Sequence, residues 1–103
     1  MIKLILSFIL VIFPTLSNPD DIGKGYQAYK NQDYLTAYQH WRITADDEDP
    51  ISQCNIALLY FFGNRVEKNL KMAFDYCKKS AEQGLPRAQN NLAHMYANGQ
   101  GVE

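Results

Sequence analysis

The stretch Asn69–Glu103, NLKMAFDYCKKSAEQGLPRAQNNLAHMYANGQGVE, restates Asp33–Glu67, DYLTAYQHWRITADDEDPISQCNIALLYFFGNRVE, at a constant shift of 36 residues. No gap is needed. Ten pairs are identical: Ala37/Ala73, Ala45/Ala81, Pro50/Pro86, Gln53/Gln89, Asn55/Asn91, Ala57/Ala93, Tyr60/Tyr96, Gly63/Gly99, Val66/Val102 and Glu67/Glu103. Ordinary composition gives about two such matches by chance. A period between about 20 and 50 residues marks a solenoid, in which each unit buries its apolar face against its neighbours. Such a fold offers a surface that binds rather than a pocket that converts.

Each copy carries helical spacing. Tyr34, Ala37, Tyr38, Trp41 and Ala45 recur at three- and four-residue steps, and Asp33 is placed to cap them. Asp49 and Pro50 are a good N-cap and first residue for a helix over 50–62. Gly63 stops it where a left-handed residue is wanted. Asn69 caps a helix with Leu70, Ala73, Phe74, Cys77 and Ala81 inward, and Gly84 ends it. Pro86 opens the last helix, with Leu92, Ala93 and Tyr96 inward. With Gly25–Asn31 these runs predict an all-α chain of five helices near 21–31, 34–47, 50–62, 70–83 and 86–97. The acidic run Asp46–Asp49 is a charged turn; it lacks the spaced ligand loop of a calcium site.

Residues 1–17 stand apart. Met1-Ile2-Lys3 is a short positive start, Leu4–Phe13 is apolar except for Ser7, and Thr15-Leu16-Ser17 ends the segment. This is the layout of a secretory signal peptide, with cleavage expected between Ser17 and Asn18. The apolar run is shorter than the ~20 residues a spanning helix needs, so no membrane contact is expected after cleavage. The mature chain would be exported, periplasmic or secreted, and would keep 86 residues with 9 basic and 11 acidic side chains. It has no basic patch, which argues against nucleic acid as a partner.

Two motifs carry a family resemblance. Ala88-Gln89-Asn90-Asn91-Leu92-Ala93-His94-Met95-Tyr96-Ala97-Asn98-Gly99-Gln100-Gly101-Val102 is one; Ala73-Phe74-Asp75-Tyr76-Cys77-Lys78-Lys79-Ser80-Ala81-Glu82-Gln83-Gly84 is the other. Both resemble the Sel-one-like repeat (SLR) family, a relative of the tetratricopeptide repeats. The opening Gly25–Ala37 is similar to the shorter unit that often starts exported bacterial members. The resemblance implies a short right-handed α-solenoid of antiparallel helix pairs, with units of about 21–49, 50–85 and 86–103, the last incomplete. It implies bacterial scaffolding, regulation or host interaction without selecting among them, and the leading reading is a non-enzymatic adaptor holding a protein or peptide on its concave face, with no cofactor. Two further readings stay open: a cell-envelope enzyme or penicillin-binding protein like the cysteine-rich members, and a module that stacks with itself. Those members have many cysteine pairs and this chain has two cysteines. Arg65 and Glu48 depart from the pattern, standing where Gly101 and Gly84 stand one unit later. If the turns are shared, each costs roughly 1 kcal/mol.

Candidate chemistry is sparse. His40 and His94 lie at non-equivalent positions, and a zinc site needs more ligands, so no metal is expected. Gly99 and Gly101 follow a helix rather than a strand, which excludes a dinucleotide fingerprint. No local motif supports a Cys–His nucleophile pair, so no catalytic residue is assigned. Export makes Cys54 and Cys77 candidates for a bridge. Cys54 lies 12 residues before Val66 and Cys77 lies 11 after it, so antiparallel helices bring them to one height. The alternative is two buried thiols, with Cys77 filling the site that Trp41 fills one unit earlier. Phe61 and Phe62 cannot both face inward, so they join His40 and Tyr76 as the candidate partner contacts.

Overall fold

The computed structural model describes residues 20–102. The expected signal segment, its expected cleavage between Ser17 and Asn18, and Glu103 lie outside the described residues. Five helices follow one another: α1 Asp20–Lys30, α2 Tyr34–Asp46, α3 Pro50–Phe62, α4 Leu70–Glu82 and α5 Pro86–Ala97. There is no strand among the described residues. Each bound falls within a residue of its sequence expectation.

The helix ends follow from capping chemistry. The Asp33 carboxylate accepts from Thr36 N at 3.3 Å, Asp49 from Ser52 N at 2.8 Å, and the Asn69 side-chain oxygen from Met72 N at 3.0 Å. Each satisfies a backbone donor that the first turn leaves free. Gly63 ends α3 in the left-handed region at φ 71°. The turns of the two units share their backbone even where their residues differ. Glu48 has φ 66° where Gly84 has 92°, and Arg65 has φ 61° where Gly101 has 75°. The two departures therefore sit in glycine geometry, as the pattern implied.

The helices pack closest with their chain neighbours, and the core runs along the stack as a string of clusters. Trp41, Ala28, Ala37, Ala45, Ile56 and Leu59 fill the space between α1, α2 and α3. Ala57, Ala73, Phe74, Cys77 and Met95 fill the next, between α3, α4 and α5. Cys54, Ala81 and Ala88 close the far end of those helices. Cys77 is as buried as Trp41, its counterpart one unit earlier.

Polar side chains tie the repeats together at their turns. Gln53 Nε2 donates to the Ala45 carbonyl at 3.3 Å, and Gln89 Nε2 donates to the Ala81 carbonyl at 3.3 Å. These are the same bond 36 residues apart, which explains why both positions are glutamine. Gln83 Nε2 reaches both the Glu48 carbonyl and Gln53 Oε1, each at 2.9 Å, and Ser80 Oγ donates to the Pro50 carbonyl at 2.6 Å.

Two inward assignments differ from the sequence reading. Ala93 and Tyr96 on α5 are exposed, Tyr96 by 54%. Their counterparts Ala57 and Tyr60 are covered by the helices on either side of α3, and among the described residues no helix follows α5. Conversely, α3 buries far more than one face: Ser52, Gln53, Cys54, Asn55, Ile56, Ala57 and Leu59 are all buried. It is the central helix, and neighbours close on it from several sides.

Candidate functional site

Helices α3 and α5 line a cavity of about 150 Å³, with Cys77 of α4 beneath it. Ala57, Leu58, Phe61 and Met95 make it apolar, while Asn91 and His94 contribute polar groups. The helical period puts Ala57, Leu58 and Phe61 on adjoining parts of α3. Phe62 stands at the rim, 61% exposed. Its ring meets Phe61 edge to face, with centroids 5.1 Å apart. The pair splits as the sequence demanded: Phe61 packs against the core and Phe62 faces out.

The other two contact candidates lie elsewhere. His40 Nδ1 lies 2.8 Å from an Asp21 oxygen, a contact that pins α2 to α1. Tyr76 stacks on Tyr60, with centroids 6.0 Å apart, in the groove between α2 and α4. His40, Tyr76 and the Phe61–Phe62 pair thus occupy three separate places and form no single site.

The cysteines are two free, buried thiols rather than the bridge their shared height allowed. Cys77 Sγ donates to the Ala88 carbonyl at 3.3 Å, and Cys54 Sγ accepts from Asn91 Nδ2 at 3.8 Å. Burial raises the pKa of both, Cys77 from 9.0 to about 11. A thiol held protonated is a poor nucleophile and a poor metal ligand. No group of three or more potential metal ligands occurs among the described residues. Nor is any described helix long and apolar enough to cross a membrane.

Sequence reasoning did not find the cavity's other walls, Leu58, Asn91, His94 and Met95. Asn91 carried a signal, being identical to Asn55. Asn55 Oδ1 accepts from Arg87 Nη2 at 2.8 Å, so both asparagines work between α3 and α5.

The Sel1 repeat model matches residues 50–85 and 86–103. The chain belongs to the Sel1 repeat family. A solved Sel1 repeat protein from Oxalobacter formigenes is 36% identical, with a TM-score of 0.76 over 84% of this chain and 34% of that one. A protective antigen of uropathogenic Escherichia coli with an SLR fold is 28% identical, with a TM-score of 0.77 over 81% of this chain and 18% of that one. HcpC of Helicobacter pylori strain J99, provisionally named a beta-lactamase, is 36% identical over 50 residues, 48% of this chain and 17% of HcpC. This Sel1 chain therefore spans about a third of the length of one of these relatives and under a fifth of the other two.

Proposed function

We propose that this Sel1 chain is an exported, non-enzymatic adaptor. It holds a protein or peptide partner on the face formed by α3 and α5, with one apolar side chain seated in the cavity between them. The observation that carries this reading is the pairing of an exposed Phe62 with an apolar cavity of about 150 Å³. A void of about that size holds a benzene-sized group, and aromatic anchors beside fitted pockets dominate recognition energetics. Asn91 and His94 stand ready to bind the backbone of whatever enters.

A photo-crosslinking amino acid in place of Phe62, exposed to the source's envelope fraction, tests it. A discrete polypeptide adduct is expected, lost when Leu58→Glu charges the cavity wall. No adduct from a correctly folded protein would sink the reading. Export is tested separately, by sequencing the N-terminus of the cell-made protein, which should begin at Asn18.

The likeness to HcpC favours one competing reading, hydrolysis of a beta-lactam. Cys77, the thiol beside the cavity, is held protonated and donates to a backbone carbonyl, which weighs against it. Turnover of a chromogenic beta-lactam by the purified chain would replace the adaptor with an enzyme.

A further inference from the structure

The cavity between α3 and α5 has a template inside the molecule. One unit earlier, the position of Cys77 is held by Trp41, which is fully buried. The Trp41 ring lies between α1, α2 and α3, in one cluster with Ile56 and Leu59. Tyr29 stands beside it, ring centres 5.7 Å apart. Gly25 lies so close that a Cβ there would meet Trp41 Nε1 at 2.3 Å.

The counterparts of these neighbours are walls of the cavity. The repeat shift carries Leu59 to Met95. Helices α1 and α3 end at Lys30 and Phe62, and counted back from those ends Gly25 and Tyr29 correspond to Ala57 and Phe61. Met95, Ala57 and Phe61 all line the cavity, with Cys77 at its base. The ring itself has no counterpart, because Cys77 stops at a thiol. The walls have not closed on that difference, and about 150 Å³ stays open. Ala57 takes one methyl group of the room that Gly25 leaves, while Met95 is a side chain that adapts to what enters. The polar chemistry also recurs. Trp41 Nε1 donates to the Ile22 carbonyl at 3.3 Å. In the cavity Asn91 turns its Nδ2 to Cys54 Sγ at 3.8 Å, which leaves its Oδ1 to accept.

We propose that the cavity is a tryptophan socket, filled by a tryptophan side chain of the partner polypeptide. The socket's chemistry comes from the internal repeat; that the ring belongs to a polypeptide rests on the adaptor reading. An apolar void of this size accepts a ring, and tryptophan is prominent among interface anchors. The exposed Phe62 ring at the rim gives the entering indole an aromatic neighbour, an arrangement that favours offset or edge-to-face contact. An aliphatic side chain would leave both Asn91 Oδ1 and the Phe62 ring without that contact.

Methyl NMR of the purified chain, labelled at methionine, tests it. The probe is N-acetyltryptophanamide, which presents the side chain as a polypeptide does. Saturable movement of the Met95 methyl signal is expected, with that of Met72, in a different groove, unmoved. N-acetylphenylalaninamide lacks the N–H and should bind roughly three- to tenfold more weakly, the range of one hydrogen bond. N-acetylleucinamide should bind more weakly still. Cys77→Phe supplies a ring from within, so binding should be lost and the urea midpoint should rise. Leu58→Glu charges the wall and should weaken binding with helical circular dichroism kept. A still Met95 signal, equal binding of the phenylalanine or leucine amide, or binding that survives both variants would overturn the proposal and leave the adaptor reading standing. Binding of free indole without N-acetyltryptophanamide would overturn the polypeptide source. Binding of N-acetyltryptophanamide with no adduct at Phe62 would remove the adaptor reading and the polypeptide source with it, so the two failures are told apart.

Discussion

Left-handed turn residues carry a backbone cost in this molecule, and buried thiol and phenol groups carry its alkaline sensitivity. Arg65 and Glu48 hold left-handed φ values of 61° and 66° that glycine adopts in the next unit. Arg65→Gly and Glu48→Gly should each stabilise the chain by about 1 kcal/mol, read as a rise in the urea midpoint. Gly101 allows no such freedom in reverse. A Cβ there would meet the Leu70 carbonyl oxygen at 2.2 Å. Gly101→Ala should cost roughly 2–4 kcal/mol by the same assay, combining left-handed strain with overpacking. Cys77 sets a pH limit. Its folded pKa lies above its ordinary 9.0, at about 11, so its neutral form is favoured by folding. That contribution is whole below pH 9 and is lost as pH rises through 11. Stability against urea should fall over that window, and the fall should be shallower in Cys77→Ala. A further loss nearer pH 12 belongs to Tyr60, raised to about 12 by burial and then by its bond with Tyr38.

The first helix is the element whose attachment depends most on a single residue. At Gly25 a Cβ would lie 2.3 Å from Trp41 Nε1, the atom that donates to the Ile22 carbonyl at 3.3 Å. Gly25→Ala should lift α1 from α2 while leaving α3–α5 folded. Trp41 is the only tryptophan, so a red shift of its emission with most helical circular dichroism retained would report it. Unchanged emission would mean the contact relaxes without detachment. The helix bounds were legible because capping is local: Asp33, Asn69 and Gly63 reveal themselves within four residues. The candidate site was less legible. The split of Phe61 and Phe62 followed from helical geometry alone, but His40 and Tyr76 were placed with them because aromatic and histidine content says nothing of distance. Helical spacing places Ala93 and Tyr96 inward, yet both are exposed. Burial of a repeat position depends on what flanks it, and the sequence of one helix does not contain that.

At the scale of the whole molecule, α5 presents uncovered the face that α3 buries. Gln89, Ala93 and Tyr96 are exposed there, while Gln53 and Ala57 are buried and Tyr60 is partly covered. A helix patterned on residues 69–84 and attached after Glu103 should pack on that face and raise the melting temperature by several degrees, since ~1 kcal/mol shifts a domain of this size by about 4–8 °C. No rise would mean that α5 already ends the stack stably. Such additivity is the ordinary behaviour of repeats that hold mainly to their neighbours.

Because each helix packs most closely on the next along the chain, the molecule also has a mechanical character. Tension applied between its two ends loads the interfaces one after another rather than all together. Helices would peel away in sequence, each release lengthening the tether at low force, and slack would let them dock again in the reverse order. A chain built this way yields to a pull and recovers from it, where a single interlocked core would hold and then break.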